Sequence, residues 1–451
     1  MLKKIYKYFN SYTDIYPLVV FRILFGLLMF ISIIRFWQNG WIKTIYIDPI
    51  VHFKYYGFEW VKSLEEWNYI LFLICAISSI FITIGYKYRI ASIMFFVSFT
   101  YIELIDKTTY LNHYYFVSII SFILIFLPAN IYGSIDAIKN KVVYNKTPKW
   151  SIDIIKLMLF IIYFYAGIAK INSDWLLKAM PLSIWLPGKY DLPLIGGIMT
   201  KNWVPFFMSW CGMFYDVLIG FFLFSKCYRN IAYVFVLIFH SMTAIFFPSI
   251  GMFPYIMIVS SFIFLDNKFH KRILNRFNKK WIKNYNYKVI ENYKIKFKRP
   301  ILIILSLFMI IQILLPFRYL LYDSELFWSE EGYRFSWRVM LIEKAGHSTF
   351  TIVDNKSKKR IVVENSDFLT SFQEKQMSFQ PDMILEYAHI ISEYYKKIGF
   401  TDPSVYVDSY VTLNGRLSKQ FIKNNIDLSQ EKESFKSKDW IIKFNDEIKG
   451  F

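Results

Sequence analysis

The sequence predicts a polytopic α-helical membrane protein with a small exported α+β domain at its C-terminal end. Hydrophobic residues make up 55% of the 451 positions and the mean hydropathy is +0.32, above the range of ordinary soluble domains. The apolar residues also gather into runs that approach or reach the length needed to cross a bilayer. We predict about nine spans, of which one of the shorter ones could be re-entrant: Leu18–Trp37, Tyr69–Ile84, Ile90–Ile105, Tyr114–Leu127, Ile152–Ile168, Val204–Phe224, Ile231–Phe247, Ile250–Leu265 and Ile301–Leu320.

The basic residues predict the orientation of these spans. Lys and Arg are enriched in short cytoplasmic loops. Here they lie in the N-terminal tail and in every second loop after it, most densely between the eighth and ninth spans. The prediction is therefore a cytoplasmic N-terminus, a transmembrane domain over 1–320 and an extracytoplasmic domain over 321–451.

The net charge of +19 is concentrated in a predicted cytoplasmic loop, 266–299, which carries twelve basic residues between Lys268 and Arg299. Attraction to anionic lipid headgroups explains such a loop, so we expect membrane lipids and no nucleic acid as its partner. The chain shows no Cys/His spacing typical of metal sites and no phosphate-binding glycine loop, so neither a metal nor a nucleotide is expected.

The region after Pro316 reads as a small α+β module. Alternating residues predict strands and a hairpin, and an amphipathic run with proline in its first turn predicts a helix. The predicted elements are a strand at Phe335–Lys344, a hairpin of Ser348–Val353 with Arg360–Glu364, a helix at Pro381–Ile398 and a strand at Val405–Leu413 that turns at Asn414-Gly415.

Four ionisable residues within spans need an explanation, because a charge in a bilayer is costly. Arg22 and Lys156 lie near the cytoplasmic ends of their helices and are expected to extend toward the cytoplasm. Asp216 and His240 lie near mid-membrane on consecutive antiparallel helices and could meet. A buried Asp–His hydrogen bond that holds the bundle together and a functional pair are both compatible with the sequence.

Two further groups lie at the outer ends of their spans. Lys170 closes the fifth span, and His113, preceded by Asn112, opens the fourth. Taken alone, Lys170 fits an interfacial anchor and His113 a polar cap. The same residues at similar depth would also suit proton abstraction from a bound, lipid-like acid.

Several separated motifs resemble the vitamin K-dependent gamma-glutamyl carboxylase family, including its bacterial relatives with the horizontally transferred transmembrane (HTTM) domain. The similarity runs from about Leu18 to about Leu428. It rests on motifs in a fixed order: Phe21-Arg-Ile-Leu-Phe-Gly-Leu-Leu-Met29, Tyr88-Arg-Ile90, Leu104-Ile-Asp-Lys-Thr-Thr-Tyr-Leu-Asn-His113, Tyr163–Trp175, Phe239-His-Ser-Met-Thr243, Ser249-Ile-Gly-Met-Phe253, Gly332-Tyr-Arg-Phe-Ser-Trp337, Gln380-Pro-Asp-Met-Ile384 and Tyr406–Arg416.

The resemblance implies an enzyme of the carboxy-lyase type that needs no metal. Such an enzyme couples epoxidation of reduced vitamin K or menaquinone by O2 to carboxylation, with CO2, of glutamate residues in an exported peptide or protein. A water-free site would stop water from quenching the alkoxide formed from the quinone and the carbanion formed from glutamate. The residues that match family positions are the base Lys170 and the loop histidine His113 as catalytic residues, Asn112, His240, Trp337 and Met340 around the quinone, and Asp216 as a structural or tuning residue within the membrane.

The chain also departs from the animal enzymes. It lacks the cysteines for the disulfide that joins their outer loop to their exported region, and it stops at Phe451 where they continue. The Lys- and Ile-rich composition favours a bacterial cytoplasmic membrane. Two alternatives stay open: a quinone epoxidase or oxidoreductase without carboxylation, and a non-enzymatic membrane transporter or scaffold.

Overall fold

A computed structural model describes residues 2–278 and 287–450, and the described chain is mostly helical. Helices dominate because the apolar runs satisfy their backbone hydrogen bonds internally. The helices are α1 (Leu2–Phe9), α2 (Tyr16–Gln38), α3 (Trp41–Tyr46), α4 (Asn68–Ile84), α5 (Tyr88–Ile105), α6 (Asn112–Phe126), α7 (Ile135–Asn140), α8 (Trp150–Ile168), α9 (Ser173–Leu177), α10 (Leu182–Trp185), α11 (Gly196–Met199), α12 (Trp203–Phe224), α13 (Arg229–Phe246), α14 (Phe253–Ser261), α15 (Asn267–Asn278), α16 (Lys298–Leu314), α17 (Leu326–Ser329), α18 (Ser371–Met377) and α19 (Pro381–Lys397).

Each predicted span coincides with a helix, but the helices are not equally long. In the described part of the chain, seven are long and apolar enough to cross a membrane: α2, α4, α5, α8, α12, α13 and α16, with α4 and α16 extended by adjoining 3-10 turns. The helices α6 and α14 are apolar but shorter. The structure therefore supports seven candidate spans and leaves α6 and α14 as the two short members of the predicted nine.

A three-stranded sheet lies where α2, α8 and α16 begin. Its strands are β1 (Tyr12–Asp14), β2 (Val142–Pro148) and β3 (Lys288–Asn292). β2 is central, antiparallel to β1 and parallel to β3. The sheet joins the N-terminal tail to the basic loop 266–299, of which residues 279–286 lie outside the described residues.

The C-terminal region contains the strands β4 (Lys344–Val353), β5 (Arg360–Val363), β6 (Ser404–Leu413) and β7 (Lys419–Gln420). They form an antiparallel sheet with the order β5-β4-β6-β7, covered by α18 and α19. The predicted hairpin is confirmed, since Phe350 pairs with Val363 and Val353 with Arg360. The predicted helix is also confirmed, and its Tyr387 ring packs edge-on against Phe350 at 4.8 Å.

The predicted strand at Phe335–Lys344 is wrong. Phe335, Trp337 and Met340 have φ values of +61°, +59° and +59°. An extended strand requires negative φ, so the segment folds as consecutive turns. The strand begins only at Lys344. Polar and apolar residues alternate here without forming a strand, because the compact segment of turns buries Trp337.

The prediction for Arg22 also needs correction. Its side chain does not extend to the cytoplasm but is fully buried. The guanidinium donates to the carbonyl oxygens of Ala129 at 3.2 Å and Gly133 at 2.6 Å. Backbone carbonyls at the α6–α7 connection therefore replace water as its hydrogen-bond acceptors.

The C-terminal region packs on the helical region through both apolar and charged contacts. Val51, Trp175 and Val204 belong to the same buried apolar cluster as the core of the C-terminal sheet. Lys107 forms ion pairs with Asp382 at 3.0 Å and Glu386 at 2.9 Å. This end of the helical region, opposite the three-stranded sheet, is called the domain-facing end below.

Candidate functional site

Lys170 lies at the domain-facing end of α8, one residue beyond the helix cap. Its Nζ donates to Asp216 Oδ2 at 2.8 Å and to the Ala166 carbonyl at 3.2 Å. It also lies 5.3 Å from the centre of the Trp175 ring. The two charged side chains are only 7% and 8% exposed. Among the described residues Lys170 thus has one carboxylate partner, and the pair is held in a largely water-free environment.

A glycine contact brings Asp216 to this position. A Cβ added at Gly167 would lie 2.5 Å from Val217 N and 2.9 Å from Asp216 C, so only glycine lets the α12 backbone approach α8 so closely. The hypothesis of an Asp216–His240 hydrogen bond is therefore wrong. Asp216 faces α8, because α8 and α12 pack backbone to backbone along this glycine face.

The segment after Lys170 is held by the C-terminal region. Asn172 caps α9 by accepting from Trp175 N at 2.9 Å. Asp174 accepts two hydrogen bonds from Arg416, at 2.6 and 2.8 Å, and one from Asn414 at 3.0 Å. Burial alone would raise the pKa of Asp174, but these hydrogen bonds outweigh it and lower the pKa below its usual value. The turn that positions Lys170 is thereby fixed to the exported module.

His240 and His113 meet at one aromatic ring. His240 Nε2 lies 3.0 Å from the Tyr163 hydroxyl, which in turn lies 3.2 Å from Ser261 Oγ. The Phe253 ring contacts both histidines, with centroid distances of 6.0 Å to His113 and 5.6 Å to His240. His113 Nε2 and His240 Nδ1 are buried and have no hydrogen-bond partner within the described chain.

The predicted quinone residues Asn112, Trp337 and Met340 are brought to one end of α6. Asn112 Nδ2 donates to the Arg338 carbonyl at 3.1 Å. Trp337 is 1% exposed and stacks on Tyr115 at 5.0 Å, and its indole Nε1 has no partner in the described chain. Met340 is half-buried in the same turn segment. The left-handed residues of that segment allow it to fold back onto α6.

The structure therefore forms two groups from the predicted site residues. Lys170 and Asp216 form an ion pair, while His113 and His240 share the Phe253 ring. Tyr163 connects His240 to the neighbour of Asp216: its hydroxyl lies 3.0 Å from His240 Nε2, and its ring packs edge-on against Tyr215 at 6.0 Å. Tyr163 is not among the predicted site residues, although it lies seven residues, or about two helical turns, before Lys170.

Two protein-family profiles match the chain. The HTTM domain matches residues 10–269, more than half of the protein, and the vitamin K-dependent gamma-carboxylase lumenal domain matches residues 297–447. The chain belongs to the HTTM-domain family. With both matches in this order it is a member of the vitamin K-dependent gamma-carboxylase family, which confirms the resemblance seen in the sequence.

The same findings bear on where the protein resides. The apolar helices together with the lumenal-domain match indicate a membrane protein with an exported domain. No solved structure matches the chain at a significant level.

Proposed function

We propose that this protein is a gamma-glutamyl carboxylase-like membrane enzyme. It couples epoxidation of a reduced naphthoquinone to carboxylation of glutamate residues in an exported peptide or protein. The observation that carries the proposal is the buried Lys170–Asp216 pair at the domain-facing end of a family-matched helical region. The proposed orientation has a cytoplasmic N-terminus and an extracytoplasmic C-terminal domain, in a bacterial cytoplasmic membrane.

In this proposal Lys170 is the base that takes a proton from a hydroxyl of the bound hydroquinone. The ion pair seen in the structure corresponds to the state after this transfer. For each turnover Lys170 first releases its proton, and the neutral amine then accepts the hydroquinone proton and becomes an ammonium ion again. Asp216, 2.8 Å away, stabilises that ammonium. The attraction is stronger here than in water because both side chains are buried. The Trp175 ring stabilises the same ammonium further through a cation–π contact.

The unpartnered buried atoms around α6 and α13 fit a quinone. His113 Nε2, His240 Nδ1 and Trp337 Nε1 lack partners in the described chain. Buried polar groups are normally hydrogen-bonded, so such atoms are the ones a ligand with oxygen atoms would satisfy. In this scheme Asn112 and Met340 complete the contacts to the ring. With O2, reduced vitamin K or menaquinone would supply the strong base that removes the glutamate γ proton before CO2 addition.

The test uses purified full-length protein in detergent with reduced menaquinone or vitamin K, O2, labelled bicarbonate and a glutamate-containing peptide. Epoxide and labelled peptide are measured in the same reaction. We expect both products, and both should be lost in Lys170→Met. The exposed Lys201 on the outer loop provides a matched control, Lys201→Met, which should retain them.

Other outcomes separate the alternatives. Epoxide without labelled peptide would support a quinone epoxidase that does not carboxylate. Neither product from several quinones would contradict the enzymatic proposal and favour a transporter or scaffold.

A further inference from the structure

Arg35, at the domain-facing end of α2, is a cation that has no anionic partner among the described residues. It lies in the last turn of α2 and is half-buried. Its guanidinium carbon lies 4.7 Å from the centre of the Trp41 ring. Within residues 2–278 and 287–450, this stacking is the only interaction the guanidinium makes; it forms neither a hydrogen bond nor an ion pair. Its N–H groups are therefore available to donate hydrogen bonds to a ligand.

The guanidinium lies next to the turn that leads to the two histidines. A Cβ added at Gly251 would come within 3.7 Å of Arg35 Nη1. Two residues later, Phe253 contacts both His113 and His240. Arg35 thus belongs to the neighbourhood of the proposed site, although neither the reaction scheme nor the family motifs used it.

A purely structural role does not account for the free donors. A cation in the last turn of a helix is favoured by the helix dipole, but Arg35 donates no hydrogen bond to the terminal carbonyls. The carboxyl of Glu103 lines a small cavity of about 20 Å³ together with Tyr114, yet it does not pair with Arg35. The contact with the Trp41 ring holds the guanidinium in place, while none of its N–H groups makes a hydrogen bond within the described residues.

We propose that Arg35 binds the side-chain carboxylate of the peptide glutamate and so selects glutamate as the residue to be carboxylated. This inference rests on the proposed function, because that function supplies the peptide. A planar guanidinium held on an aromatic ring matches a carboxylate with two parallel hydrogen bonds. The absence of a side chain at Gly251 keeps the approach to the guanidinium open on one side.

The test measures peptide binding rather than turnover. A fluorescent peptide with one glutamate is compared with the same peptide carrying glutamine, using the purified full-length protein in detergent. The variants are Arg35→Met, Arg35→Lys and a control, Arg229→Met. Arg229 suits the control because it lies at the start of α13, at the other end of the bundle, where it contacts Asp266 at 3.3 Å.

Wild type and Arg229→Met should bind the glutamate peptide roughly 10- to 100-fold more tightly than the glutamine peptide. Arg35→Met should bind the two peptides equally. Arg35→Lys should show an intermediate preference, because an ammonium keeps the charge but not the paired geometry.

Three outcomes would overturn the inference. One is a wild type that fails to discriminate between the peptides or binds neither. Another is an unchanged preference in folded Arg35→Met. The third is loss of epoxide formation in Arg35→Met with peptide preference intact, which would assign Arg35 to the quinone. Arg35-dependent preference without any carboxylation would instead support the inference while the proposed function fails.

Discussion

The charged cluster formed by Lys107 in the α5–α6 connection, Arg334, and Asp382 and Glu386 on α19 differs from the site at the end of α8 in how completely its polar groups are satisfied. In the cluster, Asp382 accepts from Lys107 at 3.0 Å and from Arg334 at 2.7 Å. Glu386 accepts from Lys107 and from the backbone N–H of Lys54. In the site, one ion pair lies near several buried atoms that have no partner in the described chain.

The difference separates a structural role from a functional one. Burial alone would raise the pKa of the Asp382 carboxyl, but the charges of Arg334 and Lys107 outweigh it and hold the pKa well below its usual range. Such a fully paired network holds the C-terminal region against the helical region. Unpaired buried groups carry a free-energy cost that a bound ligand can remove. The site at the end of α8, with its unpaired buried atoms, is therefore the arrangement expected of a binding site.

The largest effect is expected from Lys170→Met. Epoxide formation should fall by about 10²- to 10⁴-fold, the usual contribution of a general base. The buried Asp216 carboxylate would lose its partner, so the free energy of unfolding should also fall by about 3–5 kcal/mol. Epoxide assays and thermal unfolding would measure the two effects. An active Lys170→Met would refute the base assignment.

A substitution in the charged cluster should lower the stability of the protein without changing epoxide formation. Asp382→Asn leaves Lys107 with Glu386 alone and removes the carboxylate that pairs with Arg334 in the described residues, so the free energy of unfolding should fall by about 3–5 kcal/mol. The matched control is Asp408→Asn on the exposed face of β6, which should change stability by less than about 0.5 kcal/mol. Equal effects of both substitutions on thermal unfolding would contradict the structural role of the cluster.

A smaller effect is expected at His113. Its Nε2 has no partner in the described chain, so His113→Ala removes no hydrogen bond of that atom. The substitution should slow epoxide formation roughly 10- to 100-fold, if that nitrogen contacts the charged form of the quinone. The matched control is His347→Ala on β4, in the C-terminal sheet, which should leave the rate unchanged. A large loss of stability with normal activity would show that the histidine is structural.

The smallest expected effect is the pH dependence of the stability that Asp382→Asn removes. A carboxyl whose pKa is lowered in the folded state stabilises that state above its unfolded pKa, near 4, and loses the contribution as the pH falls further. The destabilisation by Asp382→Asn should therefore be constant between about pH 8 and pH 5 and should shrink below about pH 4. An effect that shrinks already between pH 7 and pH 5 would contradict the pairing.

The sequence was sufficient for the helices but not for their contacts. Hydropathy located every long helix, and residue alternation located the hairpin of β4 and β5. Spacing along the chain cannot determine how a helix is rotated toward its neighbours, so the sequence left the partner of Asp216 open and did not point to Lys170. Gly167, three residues before Lys170, was the available signal, since small residues mark close helix contacts. The turns around Trp337 were missed because positive φ at non-glycine residues has no clear sequence signature.

The most direct test of the central claim is the double variant Lys170→Met/Asp216→Asn. Removing both charges leaves no unpaired ion, so its stability should recover toward that of wild type compared with Lys170→Met alone. We predict that this folded protein forms no epoxide from reduced menaquinone or vitamin K under conditions in which wild type does. Wild-type epoxide formation by the folded double variant would show that the Lys170–Asp216 pair is structural and that the base lies elsewhere.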